Sequence, residues 1–172
     1  IINKMEQLIK KLYSDKDAMK KREEKLARQR AQQNNQTTGN FTKMKGKLPW
    51  PVNGKIVSRF GLEKDSETGV VIENVGINIV VNNNANVKSV LDGVVSTITY
   101  IRGHGKVIII DHGDGFSTVY AQVDNIKINE NEYVQMGTVI AGIAKNEKGF
   151  AELHFEVWGN QKKLDPQVWL KR

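Results

Sequence analysis

The chain has 172 residues, of which 39% are hydrophobic and 26% charged, a size that allows one ordinary core beside an appended element. It has no cysteine, which excludes disulfides and thiolate metal sites, and it has no apolar run long enough to span a bilayer. The formal net charge is +7, but residues 1–33 carry +5 of it, and the remainder lacks a basic stripe interleaved with aromatic residues. We therefore expect no nucleic-acid partner.

Residues 1–33 follow a heptad pattern, with apolar residues seven positions apart at Met5, Leu12, Met19 and Leu26. This spacing predicts one long coiled-coil helix that ends near Gln33. At about 1.5 Å per residue such a helix would extend about 50 Å, well beyond the edge of a small domain. It would need a partner.

The second heptad position begins apolar, at Ile1 and Leu8, and turns polar at Asp15, Arg22 and Gln29. Two interpretations follow: a solvated, marginal helix, or the end of a longer coiled-coil stalk. We favour the stalk because the sequence starts within the pattern and without an initiator Met, which is typical of a fragment.

Residues 34–47 are polar, contain glycine and lack apolar periodicity, which predicts a linker. Pro49 and Pro51 then exclude a helix. Over residues 48–172, β-branched or aromatic runs such as "GKVIIIDHG" and "AELHFEVW" alternate with Gly, Asn or Asp turns, and no segment has the length and period of a crossover helix. The sequence predicts a mainly β, antiparallel domain made of two packed sheets or a partly open barrel.

Three of the predicted strands carry a polar row along one face. Side chains alternate between the two faces of a strand, so the polar residues of "ENVGINIV" share a face, as do those of "STVYAQV" and of "AELHFEVW". A groove lined by these rows is where we expect function. Its candidate residues are Asn74, Asn78, Tyr120, Gln122, Glu152, His154 and Glu156.

Several short motifs over residues 48–170 resemble, in their order and spacing, a known family. They are "WPVNGKIVSRFG", "GINI", "DGVV", "GKVIIIDHGDGFSTVYAQ", "GTVIA", "LHFEVW" and "LDPQVWL". Together they resemble the lysostaphin-type, or LytM-like, zinc endopeptidase domain. The segment "KGKLPWPV" after a coiled coil and the ending "LDPQVWL" are most similar to the EnvC-type murein hydrolase activators.

The resemblance implies a zinc site, but this sequence departs from it at most positions. In the active family, His-x-x-x-Asp supplies two ligands, and these positions hold Asn74 and Asn78. The third ligand falls on His154, which is retained, whereas the two assisting histidines fall on Glu152 and Gln122. A neutral amide is a poor zinc ligand, so we expect the zinc site to be lost and no catalytic residue to remain. We expect His154 to be held by a polar neighbour such as Glu152 or an asparagine.

The other histidines and acidic residues are not expected to rebuild such a site. His104 and His112 lie in predicted turns, and the resemblance implies a structural role for His112. Asp111 and Asp114 are expected to cap their own turn. Ser117, His112 and Asp114 form no catalytic triad, because they are crowded into one turn and lack a nucleophile elbow.

The resemblance implies a non-catalytic activator of a cell-wall N-acetylmuramoyl-L-alanine amidase, which would meet the amidase through the former active-site groove. It further implies an extracytoplasmic, periplasmic location, with the coiled coil contacting a membrane division complex or another copy of itself. Two alternatives stay open. The chain is an active zinc endopeptidase with unusual ligands that cuts peptidoglycan cross-bridges, or it is a structural module that binds peptidoglycan or a division protein.

Overall fold

The computed structural model describes residues 3–33, 41–81, 85–145 and 148–172, and within them the β segments predicted from the sequence form strands. The strands are β1 (Lys55–Ser58), β2 (Gly61–Lys64), β3 (Val71–Asn74), β4 (Ile77–Val81), β5 (Val87–Lys88), β6 (Gly93–Ile101), β7 (Gly105–Gly113), β8 (Phe116–Asp124), β9 (Tyr133–Val134), β10 (Val139–Ile143), β11 (Ala151–Gly159) and β12 (Lys162–Leu164). The helices are α1 (Lys4–Ser14), α2 (Lys16–Gln33) and α3 (Pro166–Trp169), with a 3-10 helix at Phe41–Met44.

Most of the described strands belong to one antiparallel sheet of ten strands, whose main path runs β1-β4-β11-β8-β7-β6-β9. β10 pairs with β5 and β8, β12 pairs with β11, and β2 and β3 form a separate two-stranded sheet. The predicted mainly β, antiparallel architecture is confirmed. In the described part of the chain the two end strands, β1 and β9, do not pair with each other, so the sheet is not a closed barrel.

One face of the central strands carries the main core. Leu153, Phe155 and Val157 of β11 are fully buried there beside Ile77 and Ile79 of β4. The apolar residues of "AELHFEVW" therefore face the core, as predicted, and the alternating polar residues lie on the opposite face.

The predicted linker, residues 34–47, lies partly outside the described residues. From Phe41 onward it contributes the 3-10 helix, and the fully buried Phe41 ring stacks on Phe116 with 4.6 Å between ring centroids. This second part of the linker is therefore packed into the β domain.

The N-terminal segment forms two helices, so the prediction of one continuous helix is wrong. The break lies at Asp15, whose backbone is extended, and its side chain accepts a hydrogen bond from the backbone N–H of Ala18 at 3.1 Å. A carboxylate in this position caps a new helix instead of continuing the old one. Among the described residues, no helix combines the length and apolarity needed to cross a membrane.

The two helices pack against the sheet face opposite the main core. Met5 and Ile9 of α1 are fully buried in a second cluster with Ile109, Val119 and Trp158. The apolar face predicted to meet another helix is thus covered by this chain's own sheet. Coiled-coil association with a second chain stays a prediction.

Two ion pairs connect α2 to the β domain, and one of them accounts for the polar residue Arg22 at the second heptad position. The Arg22 guanidinium donates to the Asp111 carboxylate at 2.8 Å, with both side chains nearly inaccessible to solvent. Arg30 donates two hydrogen bonds to Asp92, at 2.9 and 3.1 Å. Asp111 also accepts from the Gly113 backbone N–H, as predicted for a residue that caps its own turn.

His112 is a fully buried residue of β7 and not a free ligand. Its Nδ1–H donates to the Asp92 carbonyl at 2.8 Å, and its Nε2 lies 2.7 Å from the Thr118 hydroxyl. Burial lowers the pKa of His112 to about 4. These contacts are those of a structural histidine, as the family resemblance implies, but the prediction that His112 lies in a turn is wrong, because β7 extends to Gly113.

Removing the charge of Arg22 should destabilise the fold, because the Asp111 carboxylate would be left buried without a partner. We expect Arg22→Met to lower the free energy of unfolding by about 3 kcal/mol. Urea unfolding followed by tryptophan fluorescence measures this. Lys20→Ala, on the exposed side of α2, is the matched control and should change stability little; equal effects of the two variants would contradict the role of the ion pair.

His112 should make stability depend on pH. An unfolded histidine binds its proton near pH 6.5, whereas the folded His112 binds it near pH 4. The contribution of His112 to the free energy of unfolding is therefore complete above pH 6.5 and is lost as the pH falls towards 4. The loss from this residue is about 3 kcal/mol. Urea unfolding at several pH values should show this slope, and His112→Gln should flatten it. NMR titration of His112 near pH 6.5 would contradict it.

Candidate functional site

A groove of about 730 Å³ opens on the polar face of β4 and β11. Gln122 and Glu152, the residues at the family's assisting-histidine positions, both line it. Its walls also include Val57, Tyr100, Lys145 and Phe150. The groove therefore combines exposed apolar surface with a few polar and charged groups.

The pairing of β4 with β11 sets the register of the site. His154 lies directly opposite Asn78 across the two strands, and Glu152 lies opposite Val80. Directly opposed residues in an antiparallel pair project from the same face at short distance, so their side chains can interact. The polar rows predicted on these two strands thus meet.

The asparagines at the first two ligand positions are joined by hydrogen bonds. Asn74 donates through Nδ2 to Oδ1 of Asn78 at 3.1 Å and to the Ser58 hydroxyl at 2.8 Å, and its own Oδ1 accepts from the Gly76 backbone N–H. Asn78 donates through Nδ2 to the Glu152 carboxylate at 3.0 Å. Because a carboxylate can only accept here, the amide nitrogen of Asn78 faces Glu152 and its oxygen faces His154.

His154 is hydrogen-bonded at both ring nitrogens. Its Nδ1–H donates to Oδ1 of Asn78 at 2.9 Å, and its Nε2 lies 2.6 Å from a carboxylate oxygen of Glu156. Glu156 is itself fully buried, and its second oxygen accepts from the Trp158 indole N–H at 2.7 Å. An asparagine partner for His154 agrees with the prediction from the sequence, but the second partner is Glu156 and not Glu152.

Of the seven predicted groove residues, Gln122 and Glu152 line this groove. Asn74, Asn78 and His154 are half-buried in the hydrogen-bonded network that reaches it through Glu152, and Tyr120 and Glu156 are fully buried. Tyr120 is fully buried in the main core, where its hydroxyl oxygen accepts from the Val90 backbone N–H, so the prediction that it lines the groove is wrong. The pairing of β7 with β8 shifts register at Gln122, which has a left-handed φ of 67°. This bulge breaks the alternation on which the prediction relied. Glu156 lies on the predicted face but beneath His154, out of contact with solvent.

His104 belongs to this site although its local sequence gives no indication of it. It lies in the turn between β6 and β7, as predicted, and its ring centroid is 5.6 Å from that of His154. Burial, and then the neighbouring His154, lower the pKa of His104, while Glu156 opposes them. Nδ1 of His104 is the only buried side-chain nitrogen or oxygen without a hydrogen-bond partner in the ranges that the structure covers.

Comparison with known proteins identifies the family of this fold and site. Residues 73–166, more than half of the chain, match peptidase family M23. The chain belongs to that family. The M23 match covers all of the ligand and assisting positions, which lie at the end of β3 and in β4, β8 and β11.

The relatives that resemble this M23 chain include proteins named for activating hydrolases. The murein hydrolase activator NlpD of Salmonella dublin is 33% identical over 122 residues, which are 70% of this chain and 30% of that protein. The murein hydrolase activator EnvC of Escherichia coli is 27% identical over 136 residues, which are 78% of this chain and 32% of that protein. The chain spans less than a third of either relative.

Solved structures include a peptidase of this fold. A zinc-containing peptidase from Vibrio cholerae is 27% identical, with a TM-score of 0.62 over 72% of this chain and 40% of that one.

The M23 ligand positions of this chain do not fit zinc. Two of the three are neutral amides, Oδ1 of Asn78 already accepts two hydrogen bonds, and Nδ1 of His154, which faces it, carries a proton. A zinc ligand must offer a free lone pair to the metal. None of these three positions supplies a charged or unpaired ligand atom where the three side chains would meet a zinc ion.

Gly76, which lies between β3 and β4, lets the chain approach β11 closely where Asn78 meets His154. A Cβ at this position would lie 2.2 Å from the Phe155 carbonyl oxygen and 2.8 Å from Cγ of Glu156. We expect Gly76→Ala to lower the free energy of unfolding by about 2 kcal/mol, because backbone atoms must move apart. Gly142→Ala is the matched control, since its nearest heavy atom is 3.6 Å away; urea unfolding compares them, and equal stability would refute the packing role.

Proposed function

We propose that this chain is a non-catalytic activator of a cell-wall amidase and that the groove beside Glu152 is its contact surface. One observation carries the proposal. An intact M23 fold holds amides at two ligand positions, and these amides form a hydrogen-bonded network with His154 and Glu152. The names of NlpD and EnvC as murein hydrolase activators support the same role.

Hydrolysis by the family mechanism requires a metal-activated water, whose pKa falls from about 15.7 to about 7. The M23 ligand positions of this chain cannot supply that metal. The two positions where the family has assisting histidines hold Gln122, an amide that cannot transfer a proton, and Glu152, which accepts from Asn78. The site therefore supports binding and not bond cleavage.

The groove has the surface chemistry of a protein interface. Val57, Tyr100 and Phe150 are 52%, 70% and 57% exposed, and all three line it. The β2–β3 hairpin also exposes Leu62 and Ile72. Exposed apolar side chains gathered around a groove with a polar rim are typical of a docking site.

Activation would then be a shift of population. A partner that binds the open state of an amidase more tightly than the closed state raises the fraction of open enzyme, without chemistry of its own. Such an amidase acts on peptidoglycan, so we place this chain outside the cytoplasm, in a periplasm. Recruitment by a membrane division complex through the helices belongs to the same proposal.

Two other functions make different predictions. An active endopeptidase would digest peptidoglycan alone and would lose that activity in His154→Ala. A structural binding module would bind peptidoglycan or a division protein and leave amidase activity unchanged.

Dye release from labelled peptidoglycan distinguishes the three. We expect no release by this chain alone, and increased release when it is added to a purified amidase. Release by the chain alone, abolished by a chelator, would support the endopeptidase, and unchanged amidase activity would support the structural module.

Tyr100→Ala tests whether the groove is the contact surface. Because a large exposed aromatic residue commonly carries much of an interface's binding energy, we expect about tenfold weaker activation. Val168→Ala, which shortens an exposed apolar residue in α3 and outside the groove, is the control. Equal activation by both variants would move the contact away from the groove.

A further inference from the structure

We propose that His104, His154 and Glu156 form a binding site for one divalent transition-metal ion of the zinc class. This set shares only His154 with the M23 ligand positions, and it does not depend on the proposed activator function. Each of the three residues offers one ligand atom, and these atoms lie within 4.8 Å of one another. They come from two elements, the turn between β6 and β7 and the strand β11.

Two features of this site favour a metal ion. Nε2 of His154 and a carboxylate oxygen of Glu156 are 2.6 Å apart, a distance at which two lone pairs need a cation between them. A proton can fill this role, and so can a metal ion that replaces it. Nδ1 of His104 is buried without a hydrogen-bond partner, and His104 offers a ligand atom within 4.8 Å of those of His154 and Glu156.

The outer contacts of a metal site are already present. The Asn78 oxygen accepts the Nδ1–H of His154, which leaves Nε2 as the atom that can bind a metal. The Trp158 indole N–H holds the second oxygen of Glu156 at 2.7 Å. Metal-ligating imidazoles and carboxylates are commonly oriented by such second hydrogen bonds.

The donor set selects the ion. Two imidazoles and one carboxylate suit zinc and its neighbours, whereas calcium and magnesium prefer oxygen ligands alone. Three protein donors leave a further coordination position, which a group from a partner would fill. Gly103 and Gly105 flank His104 and line the groove. The ion would therefore link the turn between β6 and β7, which forms one wall of the groove, to β11.

Zinc binding to the tag-free chain tests this site, because the chain has only three histidines. Isothermal titration should give one zinc ion per chain. In imidazole NMR spectra the resonances of His104 and His154 should shift on addition of zinc, and those of the buried His112 should not. Absence of zinc binding, or shifts confined to His112, would overturn the proposal, and this measurement needs no variant to fold.

Variants then separate this site from the M23 positions. We expect His104→Gln to weaken zinc binding at least tenfold, and Arg102→Gln, an exposed change on the same turn, to leave it unchanged. Asn74→Ala keeps all three proposed ligands and should still bind one zinc ion per chain, because the Asn78 oxygen remains to accept from His154. Binding that survives His104→Gln but is lost in Asn74→Ala would place the ion at the M23 positions and refute this proposal.

Discussion

The pairing of β11 with β4 on one side and with β8 on the other is the constraint on which the rest of the structure depends. It buries Leu153, Phe155 and Val157 in the main core, and by alternation it places His154 and Glu156 on the opposite face. A slip of one residue would exchange these two sets. The large cost of exposing the core residues therefore also fixes the position of the site.

The opposite face of the sheet must be covered, and the N-terminal helices provide this cover. Met5 and Ile9 lie over apolar residues of β7 and β8, and Arg22 reaches Asp111 in a place that solvent hardly enters. A buried ion pair is costly to form and costly to break, so it favours one docking geometry of the helix over others. The helices and the sheet are thereby positioned relative to each other by charge as well as by apolar contact.

The site illustrates how a metal centre can be replaced by hydrogen bonds. Where M23 enzymes bring lone pairs to a shared point, this chain brings amide donors and acceptors that satisfy one another, and Asn78 links Asn74, Glu152 and His154. Such a network holds these side chains in fixed positions beside the groove. His104 and Glu156 lie outside this asparagine network, next to His154, and offer potential metal-ligand atoms.

The sequence by itself determined the β architecture, the faces of β4 and β11 and the loss of the M23 ligands, because these follow from alternation and from the residue type at each motif position. Only the tertiary structure decided what the rest does. The heptad pattern correctly marks an apolar helical face at Met5, but it cannot say that a sheet and not a second helix covers that face. Tyr120 and Gln122 separate because a bulge interrupts alternation, and His104 reaches His154 because the turn between β6 and β7 folds beside β11. Both depend on contacts between residues far apart in the chain, which no local pattern encodes.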